Sequence, residues 1–130
     1  MTERRYEMKL AVTSTGPGLE DQIDPRFGRC VFFLVIDTET MEVQAISNAS
    51  AAAGGGAGIQ AAQTVANSGA EMVITGNVGP NAFRTLAAAG MKIITGAEGS
   101  VKDAVERVKS GKLNETEAPT VGSHFGMGGN

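Results

Sequence analysis

The stretch Ile23–Cys30 (Ile-Asp-Pro-Arg-Phe-Gly-Arg-Cys) gathers the residue types in this 130-residue chain that could do chemistry. It holds the single cysteine, with Arg29 beside it and Arg26 four positions earlier, and runs straight into the apolar segment Val31 to Ile36. A thiol between fixed positive charges is expected to have its thiolate stabilised, and the thiolate is the form that binds soft metals or attacks electrophiles. The opposing expectation is that Cys30 is a small buried hydrophobe, as isolated cysteines usually are, with the arginines merely solvated. The chain's one histidine, His124, lies far away in a glycine-rich tail whose ordering would cost entropy.

Hydrophobic patterning supplies the elements that must position this stretch. Met8 to Thr13 reads as a buried strand, and Val31 to Asp37 with Glu42 to Ser47 reads as a hairpin. No helix fits between the first two strands, where Pro17, Pro25 and glycines prevail, so strand two is expected to run antiparallel to strand one. Asn48 to Gly58 is a small-residue loop, followed by helical spacing at Ile59, Ala62, Val65 and Ala66 up to Gly69. Met72 to Thr75 is a strand, and Pro80 opens a helix that Gly90 ends. Met91 to Thr95 is the fifth strand, and Ser100 with Asp103 forms a capping signal for a last helix ending near Gly111.

Right-handed crossovers then predict an α/β fold with a mixed five-stranded sheet of order 3-2-1-4-5, strand 2 antiparallel, flanked by three helices. Residues 1–112 form one domain and 113–130 a flexible Gly-rich tail. Ligands in open α/β sheets gather where strand order reverses, beyond the carboxyl ends of the strands. The loops expected there are Ser14 to Arg29, Asn48 to Gly58, Gly76 to Pro80 and Gly96 to Gly99, with Cys30 on the same rim. Thr13, Thr75 and Thr95 would end their strands at matching heights, with hydroxyls that could touch a ligand or simply serve the strands.

Composition narrows the function classes. A formal net charge of −3, with a pI near 5.1, argues against a duplex nucleic-acid binder, which needs a basic face. One Tyr and no Trp leave few platforms for stacking single-stranded bases. No apolar run reaches membrane-spanning length, and nothing resembles a signal peptide, so a cytoplasmic protein is expected. Glu20, Asp21 and Asp24 share one loop, while Asp37 lies at the far end of strand two, which does not suggest a two-metal hydrolase; these acids are read as solvated. Asn77 and Asn81, on either side of Pro80, read as turn and helix-start residues.

Asp-Pro-Arg-Phe-Gly-Arg-Cys, then Thr-Gly-Asn-Val-Gly-Pro-Asn-Ala-Phe, Ala-Ala-Gly-Met-Lys-Ile and Gly-Ser-His-Phe-Gly-Met-Gly resemble the dinitrogenase iron-molybdenum cofactor biosynthesis family, which includes NifX-like domains and the carboxyl-terminal domain of NifB-type proteins. The resemblance covers Met8 to about Lys112. It implies a ribonuclease-H-like fold and an accessory protein, not an enzyme, that binds or carries an iron-sulfur or iron-molybdenum cluster or its precursor. Its partners would be cofactor-assembly or recipient proteins, with no nucleic acid and no membrane. Where many relatives carry His immediately before Phe-Gly-Arg, this chain has Arg26.

In that reading Cys30 is an iron ligand and Arg26 and Arg29 neutralise cluster charge. The amides of Gly54, Gly55, Gly56 and Gly58 offer anion contacts at a helix N-terminus. Gly76 and Asn77 complete the rim, and His124 is a second metal ligand. One thiolate is few for an iron-sulfur site, and a homodimer would pool two. The alternative is a small nucleotide- or anion-binding module using the Gly54–Gly58 loop, although that loop lacks the Gly-Lys-Ser/Thr ending of a phosphate-binding loop.

Overall fold

The computed structural model describes residues 8–49, 56–112, 115–116 and 119–120. Its strands are β1 (Lys9–Ser14), β2 (Phe32–Asp37), β3 (Val43–Ser47), β4 (Met72–Ile74) and β5 (Lys92–Ile94), and its helices are α1 (Ala57–Asn67), α2 (Pro80–Ala88) and α3 (Val101–Lys109). The five strands form one sheet of order β3-β2-β1-β4-β5. β2 is antiparallel to both β1 and β3, and β4 is parallel to β1 and β5, as the patterning predicts.

Strand pleating divides the core into two layers. Ala11, Phe33, Val73 and Ile93 face α1 and α2 and pack with Ala61, Ala62, Val65, Ala82 and Leu86. Leu10, Val12, Leu34, Ile36 and Ile74 face the other way, against Val101, Ala104 and Val105 of α3. A sheet covered on both faces needs apolar residues at successive positions, which is why β1, β2 and β4 read as continuous hydrophobic runs. Phe33 and Phe32 point to opposite faces, as expected.

One boundary differs in a way that matters for the site. The apolar period places the start of α1 at Ile59, yet the helix begins at Ala57. Gly58 therefore lies in the first helical turn and not in a loop. Gly56 precedes it with φ 85°, a left-handed conformation that glycine adopts without a Cβ penalty. No helix among the described residues is long and apolar enough to cross a membrane.

Candidate functional site

Three of the four loops predicted to converge meet at the carboxyl end of the sheet, with Gly58 of the fourth beside them; residues 50–55 of that fourth loop lie outside the described residues. Phe27 N donates to the Asn77 carbonyl (3.3 Å) and Asn77 N to the Pro25 carbonyl (2.9 Å), so the Pro25–Phe27 segment and the turn after β4 pair as a short parallel bridge. Gly76 N lies in the same turn, and its carbonyl accepts from Gly96 N (2.8 Å), while Ile23 N donates to the Gly99 carbonyl (2.9 Å). Two glycines permit the contact. A Cβ on Gly76 would stand 2.7 Å from Pro25 Cα, and one on Gly28 would stand 3.1 Å from Gly58 Cα. Gly58 in turn abuts Ala82 in the first turn of α2. The 24–30 segment, the start of α1 and the start of α2 are thus in direct contact.

Arg26 projects from this junction with its side chain 44% exposed, and its Nε is 3.5 Å from Asp24 Oδ1. Arg29 is half-buried beside it. Neither α1 nor α2 has a side-chain cap or an acidic residue in its first turn. Among the described residues none accepts from the first-turn amides of Ala57, Gly58 and Ile59 or of Asn81 and Ala82. Such amides carry the positive end of the helix dipole and suit an anion.

Cys30 is not on this surface. It is fully buried among Phe27, Phe33, Ala61 and Val78, beneath the rim that Arg29 occupies. Burial, helped by the negative charge of Asp24, pushes its pKa up to about 12 from an ordinary 9.0; the Asn48 hydrogen bond and Arg26 only partly oppose this. The expected arginine-stabilised thiolate is therefore corrected to a protonated thiol. Desolvation of a charge in an apolar core outweighs Coulomb attraction to a guanidinium that faces solvent.

Three residues outside the expected site set support the junction. Asp24, expected to be solvated, is 2% exposed, and its Oδ1 accepts from Arg26 N (3.1 Å). Asn48 is buried, and its Nδ2 lies within reach of the Gly28 carbonyl (3.2 Å), the Cys30 carbonyl (2.9 Å) and Cys30 Sγ (3.7 Å). Thr13 Oγ1 bonds to the Asp24 carbonyl (2.7 Å) and shares a 2.8 Å bond with Thr75 Oγ1. The strand-end hydroxyls of Thr13 and Thr75 are thereby used inside the protein, and that of Thr95 bonds to Thr116 (2.6 Å). An Asp two residues before an Arg, and an Asn closing a strand, were the available signals.

Of the other expected site residues, Gly56, Gly58, Gly76 and Asn77 border the junction. Gly54, Gly55 and His124 lie outside the described residues. Thr120, four positions before His124, is bonded to Val78 on the rim. Among the described residues no three of His, Cys, Asp and Glu gather in a way that could hold a metal ion. The chemistry present here favours a ligand recognised by its negative charge over one wrapped in protein donors. At the opposite end of the sheet a cavity of about 250 Å³ lies between Met8, Met72, Lys92 and the Ala89–Gly90 turn.

Fold and site together define a small α/β protein with an arginine-bearing junction at the carboxyl end of its sheet. The sequence profile described as dinitrogenase iron-molybdenum cofactor matches residues 8–111, and the chain belongs to that family. It is similar to the orange protein of Desulfovibrio gigas, solved in an apo form, with 44% identity, a TM-score of 0.86 and coverage of 88% of this chain and 98% of that one. It is also similar to a NifB-type protein from Thermotoga solved by NMR, with 35% identity, a TM-score of 0.76 and coverage of 88% and 97%. An uncharacterized protein of Methanocaldococcus jannaschii is 27% identical over 113 residues, which are 85% of this chain and 92% of that protein.

Proposed function

We propose that this chain is an accessory protein of metallocofactor assembly. It carries an anionic iron-sulfur or iron-molybdenum cluster, or its precursor, on a ribonuclease-H-like scaffold in the cytoplasm and performs no catalytic turnover. The observation that carries this reading is the contact of the 24–30 segment, which bears Arg26 and Arg29, with the start of α1, which in turn abuts the start of α2, neither helix having a side-chain cap. A metal-sulfide core brings its own sulfur and a net negative charge, so guanidinium groups and free amides can hold it through hydrogen bonds to that sulfur. The family and the apo-form neighbour support a cofactor-associated role.

In this account Arg26 and Arg29 neutralise the cargo, the amides around Gly58 and Ala82 orient it, and Gly56, Gly76 and Asn77 shape the rim. Cys30 becomes a ligand only where a metal displaces the thiol proton and the 24–30 segment lifts to admit it; coordination is strong enough to deprotonate a thiol. His124, which lies outside the described residues, is the imidazole that the same cargo would recruit. Val31 and Ile59, large apolar side chains that remain 48% and 37% exposed, adjoin Cys30 and Gly58 in the chain and offer a recipient protein a contact.

The test is anaerobic reconstitution of the purified chain with iron, sulfide and molybdate, followed by desalting. The proposal expects visible absorption and a stoichiometric metal-to-protein ratio in the protein fraction. A colourless, metal-free protein fraction contradicts it, and nucleotide binding at the start of α1 would then be the reading to measure.

A further inference from the structure

Two described residues beyond α3, Thr116 and Thr120, are each bonded to the sheet side of the molecule, one to β5 and one to the turn after β4. Thr116 N donates to the Ile93 carbonyl, and Thr116 Oγ1 accepts from Thr95 N (3.0 Å) and shares a 2.6 Å bond with Thr95 Oγ1. Four residues on, Thr120 N donates to the Val78 carbonyl (2.9 Å) while Val78 N donates to Thr120 Oγ1 (3.0 Å). The first point runs along β5, which is an edge strand of the sheet, and covering an edge is a common need. The second point does something else. It grips both polar backbone groups of one residue in the turn that follows β4.

That turn is the one that sets Arg26. Val78 adjoins Asn77, whose carbonyl accepts from Phe27 N and whose N–H donates to the Pro25 carbonyl. A continuous series of hydrogen bonds therefore runs from Thr120 through Val78 and Asn77 to the residues on either side of Arg26. Arg26 is otherwise held by Asp24, whose Oδ1 accepts from its backbone N–H (3.1 Å) and lies 3.5 Å from its Nε, and by Arg29 N, which donates to its carbonyl (3.3 Å); its side chain is half in solvent. Thr120 itself is exposed, so the fastening can open at far less cost than unfolding the core.

Resting on the cargo reading above, we propose that Thr116 and Thr120 act as a two-point strap on β5 and on the turn after β4, in which Thr120 is a positioning residue for Arg26. Docking of the strap and binding of an anionic cluster at the rim then strengthen each other. Such coupling is reciprocal: whatever factor the strap adds to cargo affinity, cargo adds to strap docking.

The test compares the wild type with Thr120→Val, which removes the hydroxyl acceptor at nearly constant volume, and with Thr120→Ser, which keeps it. Without cargo, amide hydrogen exchange is measured at Val78, Asn77 and Phe27. Thr120→Val should speed exchange about three- to tenfold at Val78 and Phe27, the range set by losing one to two net hydrogen bonds, and Thr120→Ser should restore it. With the chain reconstituted with iron and sulfide, Thr120→Val should surrender iron to a chelator faster by a similar factor. A chain ended after Lys112 should do so at least as fast. Acceleration confined to Val78, with Phe27 exchange unchanged, would show a mere edge cover and overturn the proposal, as would equal iron release from all variants. If the wild type retains no iron, the cargo reading fails, and the Phe27 exchange result still decides whether Thr120 positions the Arg26 segment.

Discussion

The first turns of α1 and α2 differ from that of α3, although all three helices start at the same end of the sheet. At α3 every free amide is used: Val101 N donates to the Asp21 carbonyl (2.9 Å), Lys102 N to the Leu19 carbonyl (3.0 Å) and Asp103 N to Ser100 Oγ (3.1 Å). Asp103 also places a negative charge at the positive end of the dipole. At α1 and α2 there is no side-chain cap and no acid in the first turn, and the segment that bears Arg26 and Arg29 touches the start of α1. One helix start is closed by its own cap and by neighbouring carbonyls; among the described residues the other two are not.

The largest effect should come from reversing charge at the open pair. Arg26→Glu with Arg29→Glu should cut cluster retention by about a hundredfold or more, since each charged hydrogen bond contributes about 1.5–3 kcal/mol. The measurement is metal retained after desalting, with far-ultraviolet circular dichroism showing that the fold persists. Retention at wild-type levels would remove the rim from the account. Next comes the close approach that builds the junction. Gly76→Ala puts a Cβ 2.7 Å from the Pro25 backbone, and should destabilise the protein by about 1–3 kcal/mol in denaturant titration. An unchanged midpoint would show that the turn can move freely.

A smaller pair of changes sharpens the comparison because their signs oppose. Asn81→Asp puts a carboxylate in the first turn of α2 and should stabilise the protein by about 0.3–1 kcal/mol while weakening cluster retention. Ser100→Ala removes the α3 cap and should destabilise by about 1 kcal/mol with retention unchanged. Thermal unfolding and metal retention measured on both variants check this; parallel movement of stability and retention in either variant would break the distinction.

The last effect appears only at alkaline pH. The buried thiol of Cys30 has its folded pKa raised to about 12 from 9.0, so the unfolded chain releases the proton first. The associated stability is complete below about pH 9 and is lost as pH rises toward 12. Stability of the wild type should fall more steeply than that of Cys30→Ala across this window, by up to about 1.4 kcal/mol per pH unit. Equal slopes would mean that the thiol is exposed in the folded protein.

The sheet order was legible because Val31 to Asp37 follows β1 with no room for a helix, and because three apolar runs each end in Thr before a glycine or serine. The α3 cap was legible for a similar reason: Ser100 and Asp103 act within one turn of chain. The interior of the junction was not. The arginines adjacent to Cys30 in sequence suggested a thiolate, whereas the groups adjacent in space, apolar Phe27 and Phe33 and the charged Asp24, decide otherwise. Asn48 and Asp24 act across 18 and 11 residues, and Thr120 acts on Val78 across 42; no local pattern encodes such pairs. The start of α1 was set late because Gly58 has no side chain to register on the apolar period, yet that absence is what lets the helix touch Gly28.

The central claim is that negative cargo is held by the cationic rim and not by a surface thiolate. The direct measurement is anaerobic reconstitution of wild type, Cys30→Ala and Arg26→Gln with Arg29→Gln side by side, reading metal per protein after desalting. The account predicts that Cys30→Ala keeps metal close to the wild-type ratio while the double arginine variant loses most of it. Metal lost from Cys30→Ala and kept by the arginine variant would contradict the account and make the thiol the ligand.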